Sequence, residues 1–95
     1  MFDYLKCKEW LSEAIRKVAS AGYEITMSEH ETQPITIRYR FEGKKAMGEI
    51  VVWENGATSM MLYDLDLKKC SFSKHDAVLV NDNYAALDEF FKAVP

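Results

Sequence analysis

Two apolar runs joined at Glu54-Asn55-Gly56 constrain this chain more than any other feature. Met47, Ile50, Val51, Val52 and Trp53 precede the turn, and Met60, Met61, Leu62, Tyr63 and Leu65 follow it. Asn-Gly between such runs is a hairpin signal, because both residues tolerate positive φ. Two registers are open. A two-residue Asn-Gly turn sets Ile50 opposite Met61. A three-residue Glu-Asn-Gly loop, with Gly56 in a bulge, sets Ile50 opposite Met60 and Gly48 opposite Leu62. The second gathers Ile50, Val52, Met60 and Leu62 on one face and is preferred, because register follows the grouping that makes one face apolar. It leaves Glu49, Val51, Trp53, Ser59, Met61 and Tyr63 on the other.

Around the hairpin, period decides the elements. Tyr4, Cys7, Leu11, Ala14 and Val18, broadened by Ile15, recur at helical steps over about residues 3–21, with Gly22 as a stop. Glu13 and Lys17 are spaced for an i,i+4 pair, as are Asp88 and Lys92. Tyr23, Ile25 and Met27 alternate with polar residues in a half-buried edge strand. His30 to Gln33 then forms a polar connection ending at Pro34. Ile35, Ile37, Tyr39 and Phe41 alternate with Thr36, Arg38, Arg40 and Glu42, the cleanest strand pattern in the chain. After a turn at 64–69, Cys70 and Phe72 predict a strand to about His75; Ala77 to Val80 is a strand end or a buried connector. Asn81-Asp82-Asn83 supplies cap chemistry for a helix over about 83–93, with a stripe of Tyr84, Leu87, Phe90, Phe91 and Val94.

The expected fold is α+β: an antiparallel meander of four or five strands, flanked by an N-terminal and a C-terminal helix on one face. Ninety-five residues suffice for one domain, 1–95, and are too few for two. At 48% hydrophobic and 28% charged, the chain has the composition of a globular protein rather than a disordered one. A net charge of −3 favours neither nucleic acid nor an anionic membrane. No apolar run is long enough to cross a bilayer, and Met1 to Trp10 lacks a signal-peptide core, so a cytoplasmic location is expected. Cys7 and Cys70 are then expected to stay reduced and to pack as small hydrophobes.

No residue set announces chemistry. Cys7, His30, Cys70 and His75 lack metal-ligand spacing, and no phosphate loop or nucleophile signature is present, so no metal, cofactor or enzymatic activity is expected. Arg38 and Arg40 share a polar strand face with Glu42 and Glu49, and cross-strand pairing accounts for them better than nucleic acid. Trp53, Met61 and Tyr63 differ, because the helices do not reach their face. They belong to a partner interface, to a homodimer, or to a sheet that curls to cover them.

The stretch Gly48-Glu49-Ile50-Val51-Val52-Trp53-Glu54-Asn55-Gly56 resembles the central "G-x-V-x-V-W-E-x-G" segment of the TriTu family of bacterial immunity proteins. The likeness continues through Leu62 and Asp64 and into Asn81 to Phe91, about two-thirds of the chain, with only the V-V-W-E-N-G segment specific. Ala57 to Met61 departs from the more acidic alternation of that family, so a different interaction surface is expected along that arm. The resemblance implies a non-enzymatic cytoplasmic protein that binds and occludes a cognate toxin domain of a polymorphic-toxin or contact-dependent inhibition system. No family-wide binding residues carry over. The residues themselves offer the acids Glu49, Glu54, Asp64 and Asp66, with Trp53 and Tyr63 as anchors, to a partner. The alternatives are a small dimeric adaptor or secretion-chaperone-like module, and a small enzyme or ligand-binding domain, which would need a deep polar pocket.

Overall fold

The first helix begins where Asp3 caps it, its side chain accepting from the Lys6 N–H at 3.1 Å. In the computed structural model, which describes residues 2–32, 35–80 and 83–95, α1 spans Tyr4–Ser20. It stops at Gly22, whose φ of +100° suits a residue without Cβ. Cys7, Leu11, Ile15 and Val18 form its buried stripe. The expected Glu13–Lys17 pair is replaced by Glu13–Arg16 at 3.2 Å, one position nearer on the same exposed face. Either spacing brings charges together on a helix, so rotamers decide the partner.

Five strands follow: β1 (Glu24–His30), β2 (Thr36–Glu42), β3 (Ala46–Trp53), β4 (Ala57–Asp64) and β5 (Lys69–Val78). All pair antiparallel in sequence order, a five-stranded meander with β1 and β5 at its edges. The hairpin register is the three-residue setting: Ile50 faces Met60 and Gly48 faces Leu62. Gly56 adopts φ +92° and donates its N–H to the Trp53 carbonyl at 2.9 Å. Its own carbonyl accepts from Leu79 N–H at 2.8 Å and from the buried Thr58 hydroxyl at 3.0 Å. The turn is thus tied to Leu79, just after β5, whose N–H finds its acceptor there.

β5 runs three residues beyond the expected His75, taking in Ala77 and Val78, while Leu79 is buried and Val80 bridges to Asn83. A register shift between Thr58 and Met60 accommodates the extra length. The last helix, α2 (Ala85–Ala93), begins two residues later than expected. Asn83 accepts from the Ala85 N–H at 3.2 Å. The expected cap residues Asn81 and Asp82 lie outside the described residues, as do Gln33 and Pro34 in the β1–β2 connection. Asp88 pairs with Lys92 at 3.0 Å.

Both helices lie on one face of the sheet. Phe90 of α2 stacks edge-on against Phe41 of β2 and Phe72 of β5, with centroids 6.0 and 5.6 Å apart. Trp10 joins the helices to each other, 5.4 Å from Tyr84 and 5.9 Å from Phe91. Nearer the start of α1, Lys8 meets Glu29 of β1 at 2.7 Å, and the Tyr4 hydroxyl donates to the same carboxylate at 3.3 Å. Burial and the Glu29 charge push the Tyr4 phenol up to about 12. Cys7 is fully buried, and desolvation raises its thiol to about 11. Cys70 corrects the expectation of packing: it is a free, exposed thiol on edge strand β5.

Candidate functional site

The register determines what the helix-free face carries. Across it run three rows, read from β1 to β5 where the pairing is regular. Ser28, Arg38, Val51 and Ser59 form one; Thr26, Arg40, Glu49, Met61 and Ser73 the next; Glu24, Glu42, Met47, Tyr63 and Cys70 the third. Trp53 closes this face opposite Thr36. Met47 and Met61 are 40% and 43% exposed, whereas Val51, between Arg38 and Ser59, keeps only 5%. Part of the face therefore covers itself and part stays open.

Arg40 meets Glu49 at 3.0 Å, the expected cross-strand pair. Arg38 makes no such pair among the described residues; Ser28 and Val51 stand opposite it. His75 holds the Ser59 and Ser73 hydroxyls at 2.8 and 2.7 Å, one on each ring nitrogen. No carboxylate orients that imidazole among the described residues, so the contact knits β4 to β5 without forming a relay. No cluster of three His, Cys, Asp or Glu that could hold a metal ion occurs among those residues.

The six singled-out residues do not form one patch. Glu49, Trp53 and Tyr63 share the open face, Trp53 and Tyr63 half-buried. Glu54 is exposed in the β3–β4 turn beside Trp53. Asp64 and Asp66 lie at the opposite end of the hairpin, where Asp64 accepts from the Leu67 N–H at 2.9 Å and shapes the β4–β5 turn. The length of β3, roughly 23 Å at the usual strand rise, separates Trp53 and Glu54 from Asp64, with Glu49 between them and Tyr63 next to Asp64. In their place the register brings together Glu24 and Glu42, directly opposite one another beside Met47. Sequence reasoning left both off the candidate surface. Their alternation assigns them to this face, but nothing local states that β1 and β2 align there.

Two hollows flank these features. A depression of about 310 Å³ on the open face is lined by Glu24, Arg40, Glu42, Met47, Glu49 and Met61, among others. A groove of about 420 Å³ lies between the helices, floored by Trp10, Ala14, Val18 and Phe91. Neither is enclosed, and the arrangement suits contact with a surface better than engulfment of a small molecule.

An α+β sandwich of helices on one side, with a mixed acidic and apolar sheet face on the other, defines a small protein with an uncovered sheet surface. A family model described as immunity protein TriTu matches residues 5–93, and the chain belongs to that family. Searches of curated proteins and of solved structures returned no significant match. No helix among the described residues is long and apolar enough to cross a membrane.

Proposed function

We propose that this immunity-family protein binds a cognate bacterial toxin domain and neutralises it by occlusion. It acts as a non-enzymatic partner in the bacterial cytoplasm, within a polymorphic-toxin or contact-dependent inhibition system. The observation that carries this reading is the family match over residues 5–93. The open sheet face supports it, because exposed Met and half-buried aromatic side chains beside charges are the composition of a protein-binding surface. In this reading Trp53 and Tyr63 anchor the partner and Glu49 contributes charge. Glu54 lies on one rim, with Asp64 and Asp66 on the other.

Co-expression with the toxin domain encoded immediately upstream tests it. Protection of the host and co-elution as a stable complex are expected; a toxin that kills regardless and elutes alone would sink the proposal.

A further inference from the structure

β1 is an edge strand whose seven residues pair with β2 without a register shift. β5, the other edge, is interrupted by two register shifts, which bend a strand out of a flat ladder. The hydrogen bonds of β2 decide which backbone groups of β1 are used. Gly43 N–H donates to the Ala46 carbonyl and Glu54 N–H to the Ile35 carbonyl, both at 3.0 Å. The odd-numbered residues of β2 therefore bond to β3, and its even-numbered residues to β1, where they face Glu24, Thr26, Ser28 and His30. That leaves the N–H and C=O groups of Ile25, Met27 and Glu29 pointing outward from the edge. Met27, at the middle of the strand, is 52% exposed although it lies on the helix side of the sheet, opposite the buried Tyr39.

We infer that β1 pairs with β1 of a second copy, antiparallel and centred on Met27, so that two sheets join into one. That register is the one that pairs all seven residues, and in it the strand is complementary to itself. Met27 meets its own copy and Ile25 meets Glu29, so each outward N–H and C=O finds a partner, roughly six hydrogen bonds in all. On the open face Thr26 comes opposite Ser28, and the Glu24 carboxylate opposite the His30 imidazole, which can donate to it. The Glu29 carboxylate is already turned back to Lys8 and Tyr4, at 2.7 and 3.3 Å, so joining the edges buries no lone charge there. A two-fold axis normal to the sheet puts the helices of both copies on one side and leaves both open faces on the other. This pairing is independent of toxin binding.

Light scattering on the full chain, from micromolar to millimolar concentration, should show a monomer passing into a dimer. Over the same range, hydrogen exchange read by NMR should show the amides of Ile25, Met27 and Glu29 becoming protected. Those of Thr26 and Ser28, bonded to β2, should be protected throughout. Met27→Lys sets two ammonium groups against each other at the two-fold axis and should weaken the dimer at least about tenfold. Met27→Pro removes an N–H that the monomer does not use, so β1 should keep its ladder with β2 while the dimer is lost. Met27→Lys keeps the test decisive should the proline variant fail to fold. A chain that stays monomeric at millimolar concentration would overturn the inference. So would a dimer that leaves the three amides unprotected, or one that Met27→Lys does not weaken. Protection of those amides by the toxin domain alone, with no dimer in its absence, would also overturn it and give the edge to a strand of the toxin.

Discussion

The two faces of the β3–β4 hairpin are built from alternate residues of the same strands, yet they obey different rules. Toward the helices, Ile50, Val52, Met60 and Leu62 are at most 1% exposed and interlock with Leu11, Leu87 and Phe90. Away from them, Glu49, Met61 and Tyr63 retain solvent contact and lean on one another across strands. Burial free energy is drawn from the first face and leaves the second under few steric constraints. A protein that must present a changing surface on a constant fold can therefore vary one face without unsettling the other.

Four measurements would break or sharpen that contrast. The largest effect is expected from Phe90→Ala. The ring is fully buried and touches Phe41, Phe72 and Phe91, so its loss should cost about 3–5 kcal/mol in chemical denaturation. A cost near that of a surface change would show that the helix-covered face is not the core.

Alkaline titration comes next. The Cys7 thiol, raised from 9.0 to about 11 by burial, stays protonated in the folded state while the unfolded chain ionises. Its contribution is therefore complete below about pH 9 and disappears as pH climbs through 11, a loss of roughly 2–3 kcal/mol at 1.4 kcal/mol per unit. Tyr4, raised to about 12, extends the decline. Cys7→Ala should flatten the part of the stability curve between pH 9 and 11. Iodoacetamide at neutral pH should meanwhile modify the exposed Cys70 and spare Cys7.

Gly56→Ala probes the turn that assigns residues to faces. A Cβ there would strike the Leu79 carbonyl oxygen and sit at φ +92°, so a destabilisation of about 1–3 kcal/mol is expected. The smallest effect belongs to Met61→Thr on the open face, within about 0.5 kcal/mol by thermal melting. Affinity for the toxin domain should nonetheless fall. A larger stability loss at Met61 than at Gly56 would reverse the assignment of faces.

Much of this was legible in the residues. Periodicity and the Asn-Gly signal placed both helices and four or five strands, of which the structure has five, and grouping apolar residues on one face selected the three-residue turn that the structure adopts. The exceptions share a cause. Trp10 lies off the expected α1 stripe, yet it stacks on Tyr84 and Phe91, because its position is set by the second helix rather than by the sheet. Cys70 alternates as a core residue would, but on edge strand β5 the register shift between Leu62 and Tyr63 sets it opposite Tyr63 of the helix-free face, where it is exposed. For the candidate surface the limit was sharper. Six residues chosen by type are strung along the whole length of a hairpin, while Glu24 and Glu42, 18 positions apart, stand opposite one another.

The hairpin marks the boundary between what sequence and tertiary structure each decided. Local rules settle helix, strand, turn and face, because period and backbone freedom act within a few residues. Which charges become neighbours depends on the alignment of strands joined by longer connections and on rotamers chosen after packing. Glu13 taking Arg16 instead of Lys17 and Glu24 standing against Glu42 were decided there.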